Sequence, residues 1–206
     1  MLDTLLDWIV TDKNLEWISA ILGFLYIFCS IREHILTWFF GVLTSALYIY
    51  VFFVNKFYAD MSLQVYYVII SVYGWYMWTK KSKSNGEKSD ISIRYTTRKE
   101  WLYIIVSSLV LYVGIWYLLA YHTDSPVPKV DAFTTAFGIV ATWMMTKKLI
   151  EQWLFWVVID LVAAIAYFYK DMTPTVLLMS TYTVLAAVGF YQWKRLMTKQ
   201  NSAANV

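Results

Sequence analysis

Residues 101–121 read WLYIIVSSLVLYVGIWYLLAY, twenty-one residues without a charge. Wound into a helix at about 1.5 Å per residue, such a stretch is about 30 Å long, the thickness of the hydrocarbon core of a bilayer. Its neighbours are of the same kind. Uncharged apolar stretches run over Trp17–Ile31, Ile35–Val54, Met61–Thr79, Ala132–Thr146 and Met172–Trp193, and Gln152–Tyr169 is interrupted only by Asp160. None alternates strictly between apolar and polar, so a β-barrel is not expected. Seven such stretches in one short chain predict an all-α integral membrane protein with seven transmembrane helices.

Composition agrees. Of 206 residues, 60% are hydrophobic, 19% are aromatic and only 15% are charged, against about 45–50% apolar and about 25% charged in soluble domains. A soluble enzyme and a disordered tail are excluded. A net charge of +3 is too thin a cover for a nucleic-acid surface, so no nucleic-acid partner is expected. One cysteine rules out a disulfide framework and a cysteine metal site, and the two histidines, His34 and His122, lie in separate loops. No metal, no cofactor and no catalytic residues are expected. There is no nucleophile elbow or phosphate-binding glycine loop, and no ATPase segment for a primary pump.

Basic residues set the expected orientation. Lys13, Lys56, Lys129 and Lys170 fall on one side, while the other thirteen Lys and Arg fall on the opposite side. By the positive-inside rule the N-terminus is outside and the C-terminus in the cytoplasm. The polar, Gly/Ser-rich Ser82–Asp90 reads as a flexible cytoplasmic linker. The first residues mix Leu2, Leu5, Leu6 and Ile9 with Asp3, Asp7 and Asp12. They read as a short interfacial helix or an extension of the first span, and are too acidic for a signal peptide.

A repeat runs through the chain at a constant offset of 115 residues. Gly23, Trp38, Tyr67, Gly74, Tyr76 and Trp78 match Gly138, Trp153, Tyr182, Gly189, Tyr191 and Trp193, among 11 identities in 60 ungapped positions. Spans 1–3 and 5–7 are therefore two three-helix halves, and span 4 is a linker. The expected segments are 1–14, an N-terminal interfacial piece; 15–80, the first bundle; 81–100, a cytoplasmic linker; 101–121, the linker helix; 131–195, the second bundle; and 196–206, a cytoplasmic tail. The linker crossing displaces the second half by four helices, so the halves should point the same way. Parallel repeats of this kind occur in transporters such as the SWEET carriers. The first span of each half is short, with Gly23 and Gly138 at matching places, which marks candidate gating or packing positions. Trp38 joins them at the foot of span 2.

Asp160 is the most informative residue. A carboxylate at mid-membrane costs a few kcal/mol and normally faces water or a cation. No Lys or Arg lies at that depth to pair with it. Trp153, Trp156 and Asp160 stand at i, i+3, i+7 on one helical stripe. Two indoles and a carboxylate suit a flat organic cation, each ring adding about 0.5–2 kcal/mol. The matching residues of the first half are Trp38, Gly41 and Ser45, so a site built by both halves would be lopsided. Gln64, Tyr67 and Ser71 line one face of span 3, and Tyr182 lies in span 7; their amide and hydroxyls could read a ligand, or glue helices together. A single mid-membrane carboxylate gives thin support for ion coupling, so facilitated diffusion is the simpler expectation.

At these residues the chain resembles the PnuC family of bacterial vitamin transporters. The carriers of the resemblance are Leu63-Gln64-Val65, Tyr73-Gly74-Trp75-Tyr76 and Trp78, then Asp131-Ala132-Phe133 and Glu151-Gln152-Trp153-Leu154-Phe155-Trp156 with Asp160. The resemblance covers nearly all of residues 15–195. It implies a SWEET-like fold of two bundles and a linker helix in the bacterial inner membrane, facilitated diffusion, trapping of substrate by a cytoplasmic kinase, and a homotrimer. It implies nicotinamide riboside, a pyridinium cation, as substrate. A related branch, often called PnuT, carries thiamine. The nicotinamide riboside carriers tend to have Asn where this chain has Ser71 and Asp160. Thiamine is therefore narrowly expected, with nicotinamide riboside as the alternative and a non-transporting membrane scaffold as a remote one.

Overall fold

The computed structural model describes residues 12–54, 58–80, 82–84, 87–89, 92–123, 125–169 and 173–203. Seven helices are described, one for each apolar stretch: α1 (Asp12–Ile31), α2 (Leu36–Val54), α3 (Tyr58–Thr79), α4 (Arg98–His122), α5 (Pro128–Thr146), α6 (Gln152–Phe168) and α7 (Thr173–Ala203). The expected interfacial segment over 1–14 lies outside the described residues, apart from its last three, which open α1. Between α3 and α4, β1 (Ser82–Ser84) pairs antiparallel with β2 (Glu87–Ser89), Lys83 opposite Lys88. The stretch read as a flexible linker thus carries a small hairpin pairing.

The chain divides into two compact units, Met1–Asp90 and Ile91–Val206. In the first, α2 packs against both α1 and α3; in the second, α6 packs against both α5 and α7, and α4 lies along α5. The linker helix is therefore part of the second unit, not a free-standing crossing. Its start is well defined. Thr97 caps it, accepting from the Glu100 amide, while the Glu100 carboxylate accepts from the Thr97 amide, which satisfies two otherwise orphaned donors. Pro128 opens α5, where its missing N–H is harmless.

The outward faces are apolar. On α6, Leu154, Val158, Leu161, Ile165 and Phe168 form an exposed stripe, while Gln152, Trp153, Ile159, Asp160, Ala163 and Ala164 are buried. On α4 only Ile104 and Ser108 are buried. A water-soluble protein does not present such continuous apolar faces; a bilayer covers them. α4 and residues Val176–Ser202 of α7 are each long and apolar enough to span one.

The repeat seen in the sequence is repeated in geometry within each unit. In the first, the Trp38 indole lies against Gly74 and meets Trp78 edge to face, centroids 5.2 Å apart at 85°. In the second, Trp153 lies against Gly189 and meets Trp193 at 5.6 Å and 86°. The loops that enter α2 and α6 also correspond. Glu33 (φ 57°) and Lys148 (φ 52°) are the described non-glycine residues with positive φ, and they are 115 positions apart. The His34 amide donates to the Cys29 carbonyl at 2.9 Å, and the Leu149 amide to the Met144 carbonyl at 3.1 Å. A left-handed residue at each loop costs about 1–2 kcal/mol; its recurrence shows that the turn is set by the shared packing.

One expectation, made for both halves, is corrected here. α1 and α5 have 20 and 19 residues and run unbroken through Gly23 and Gly138. They are not short or interrupted spans, because Glu16 and Asp131 lie inside the helices and extend them.

Candidate functional site

Asp160 is 8% exposed in the middle of α6. Among the described residues its carboxylate has neither a hydrogen bond nor an ion pair; the one ion pair described is Arg94–Glu100. A buried carboxylate with no partner among the described residues is unfavourable by several kcal/mol, which makes it a candidate contact for a cation. Trp156 stands one turn below it and is half-buried, with part of its ring accessible.

Trp153 has a different setting. It is 3% exposed, with its ring between Gly189 and Trp193. A Cβ on Gly189 would come within 2.6 Å of the ring, so the missing side chain is what admits the indole. Trp38 does the same against Gly74 and is fully buried. The structure thus separates the two tryptophans that the i, i+3 spacing joins: Trp153 holds α6 to α7, and Trp156 is half-buried outside that contact.

In the first unit, Gln64, Tyr67 and Ser71 follow one another along α3, the first two half-buried and Ser71 buried. Ser71 meets α2 at Gly41, where an added Cβ would stand 2.7 Å from Ser71 Oγ and 3.4 Å from Tyr26 Cε2. Ser45, the residue matching Asp160, is buried one turn further along α2. Tyr26 of α1 is the member that sequence reasoning missed. The offset contains a signal for it. Tyr26 and Gly41 correspond to Ala141 and Trp156, so large and small residues exchange helices between the two units. Tyr182 is half-buried on α7. A shallow outward groove of about 390 Å³, lined by Val42, Val72, Trp75, Tyr76 and Thr79, includes none of these residues. No group of three or more metal-ligating side chains occurs among the described residues.

The second unit presents a carboxylate, an indole and the Tyr182 hydroxyl, and the first, by itself, an amide and hydroxyls; groups of these kinds hydrogen-bond a ligand or stack on it.

Comparison with known proteins fits this chemistry. A family model described as nicotinamide mononucleotide transporter matches residues 13–195. The nicotinamide riboside transporter PnuC of Escherichia coli is 28% identical over 218 residues, covering 93% of this chain and 90% of that one. Its namesake from Neisseria mucosa is 26% identical over 199 residues, covering 92% and 75%. The riboflavin/roseoflavin transporter RibM of Streptomyces davaonensis is 24% identical over 189 residues, covering 90% and 88%. The fold matches a crystal structure of the vitamin B3 transporter PnuC with a TM-score of 0.70 at 23% identity, over 96% of this chain and 88% of that one. These matches do not extend to the SWEET carriers, and that part of the expected fold is not supported. With a family match spanning nearly its whole length, this chain belongs to the nicotinamide mononucleotide transporter family, a multi-pass membrane transporter of a small vitamin molecule and not an enzyme.

Proposed function

We propose that this protein carries nicotinamide riboside across the inner membrane by facilitated diffusion. The observation that carries the proposal is the buried, unpartnered Asp160 carboxylate with Trp156 one turn away on the same stripe. The pyridinium ring is flat and positively charged: the indole can stack on it, and the carboxylate can neutralise it. Tyr182, in the same unit, offers a hydroxyl for the ribose, while the amide and hydroxyls of Gln64, Tyr67 and Ser71 form a candidate ligand-reading face of the first unit by itself. Thiamine, expected narrowly from Asp160, is not supported by the relatives, which are named for nicotinamide riboside or riboflavin. An acid in place of an amide is compatible with either cation, so that residue alone does not favour thiamine. The N-terminus is proposed outside, the basic linker and tail in the cytoplasm, trapping by a cytoplasmic kinase, and assembly as a homotrimer.

The test is uptake of labelled nicotinamide riboside into liposomes holding the purified protein, without ATP or an ion gradient, with thiamine in parallel. Saturable uptake of nicotinamide riboside that Asp160→Asn weakens about tenfold or more is expected for a lost charge-assisted contact. Uptake that needs a proton or sodium gradient refutes facilitated diffusion, and preferred uptake of thiamine refutes the substrate.

A further inference from the structure

Just before α4 the chain is pinned to the foot of α6. The Arg94 backbone bridges Leu149: its amide donates to the Lys148 carbonyl and its carbonyl accepts from the Ile150 amide, both at 3.1 Å. The Thr96 amide donates to both carboxylate oxygens of Glu151 at 3.1 Å, and the Thr96 hydroxyl donates to Oε2 at 2.7 Å. Arg94 grips Glu100 through two bonds of 2.8 and 2.7 Å, and the buried Ile93 donates its amide to Gln200 Oε1 at 3.1 Å. Residues 93–96 therefore tie together α4, the α5–α6 loop and α7.

The repeat provides an internal control. The matching loop of the first unit makes the same turn, with the Thr37 and Trp38 amides donating to the His34 and Ile35 carbonyls as those of Gln152 and Trp153 donate to Leu149 and Ile150. It does so with no bridging segment described, and where Glu151 stands in the second unit the first has the exposed Leu36. Among the described residues, then, the turn recurs without a strap. What the strap adds is a fixed rotation for α6.

We propose that Glu151 and Thr96 are positioning residues for transport, strapping the start of α4 to the foot of α6 and so fixing the orientation of Trp156 and Asp160. The link to transport rests on the substrate stripe proposed above; the strap itself does not. A binding constellation tolerates about 10–20° of misorientation. Asp160 lies about 13 Å further along the helix, so a misorientation on that scale at the foot of α6 would be felt there.

The experiment compares Glu151→Leu, which copies the first unit, with Glu151→Gln, which keeps an acceptor oxygen, and with Thr96→Val, which removes only the hydroxyl. Uptake kinetics of nicotinamide riboside are measured in liposomes, and amide exchange over Gln152–Trp156 is measured without substrate. Glu151→Leu is expected to raise KM about tenfold with the thermal unfolding midpoint nearly kept, and to speed exchange at Gln152–Trp156. Glu151→Gln should return KM to within about threefold, and Thr96→Val should raise it about two- to threefold in the wild type but not in Glu151→Leu. Wild-type KM in both Glu151→Leu and Thr96→Val overturns the proposal, as does Glu151→Gln behaving like Glu151→Leu. If Glu151→Leu does not fold, Thr96→Val alone decides. If the wild-type protein takes up no nicotinamide riboside, the substrate assignment fails while exchange still judges the strap: unchanged exchange in the variants overturns it.

Discussion

Replacing Gly189 by alanine tests the central packing claim, that Trp153 is a wedge between α6 and α7. An added Cβ would stand 2.6 Å from Cε3 and Cζ3 of the indole and 2.7 Å from Cδ2. Comfortable carbon–carbon contact is about 3.5–4.0 Å, so the ring must retreat by close to an ångström. It has nowhere open to go, being buried and braced by Trp193 at 5.6 Å. Overpacking of this kind costs about 1–3 kcal/mol. Helix propensity works the other way, since Gly→Ala inside a helix gains about 1 kcal/mol. Gly114 isolates that opposing effect, because a Cβ there meets nothing within 4 Å. The quantity to measure is the difference between Gly189→Ala and Gly114→Ala in thermal unfolding of the detergent-solubilised protein. A difference of about 1–3 kcal/mol corresponds to about 2–12 °C for a chain of this size. Gly114→Ala should raise the midpoint, and Gly189→Ala should fall below it by that margin. Equal midpoints would refute the wedge and return Trp153 to the list of ligand contacts.

Other outcomes follow from the same geometry. Trp156→Ala should weaken nicotinamide riboside binding, followed by tryptophan fluorescence, by about 0.5–2 kcal/mol or two- to thirtyfold, and leave the unfolding midpoint nearly unchanged. Trp153→Ala should do the reverse, lowering stability by about 3–5 kcal/mol, and equal effects on binding would contradict the separation of the two rings. Gly74→Ala should destabilise as Gly189→Ala does, since its Cβ would stand 2.5 Å from the Trp38 ring. Glu100 immediately precedes the apolar stretch of α4, and the Arg94 guanidinium beside it holds its carboxyl low, at about 2. A depressed carboxylate stabilises above its unfolded value and loses that contribution as pH falls through the folded one. Midpoints should therefore decline between about pH 4.5 and pH 2, and less so in Glu100→Gln; an equal decline in both would show that this pair is not responsible.

Parts of the site were legible in the sequence for a physical reason. A charge at mid-membrane is conspicuous because the bilayer excludes charge, so Asp160 could be picked out with no knowledge of its neighbours. The fixed 115-residue offset likewise pointed to paired roles for Trp38 and Trp153. Their role could not be read, because a tryptophan facing a ligand and one facing a glycine have the same spacing along a helix. Tyr26 was missed because a single tyrosine in an apolar span carries no periodic signal; its proximity to Gly41 and Ser71 arises only when α1, α2 and α3 come together.

The strap over residues 93–96 shows the same division. As sequence it is a short stretch, Ile93-Arg94-Tyr95-Thr96, following a Gly/Ser-rich linker, with nothing to name its distant partners. Its importance comes from Glu151, a residue 55 positions from Thr96, and from Gln200, 107 positions from Ile93. The sequence by itself determined the seven spans, the two-fold repeat and the buried acid, because burial in lipid and helical period are local properties of the chain. Only the tertiary structure decided which tryptophan is a wedge, where the linker helix is tied and which small residues meet it. Those depend on which helices are neighbours, a relation between distant segments that no local spacing encodes.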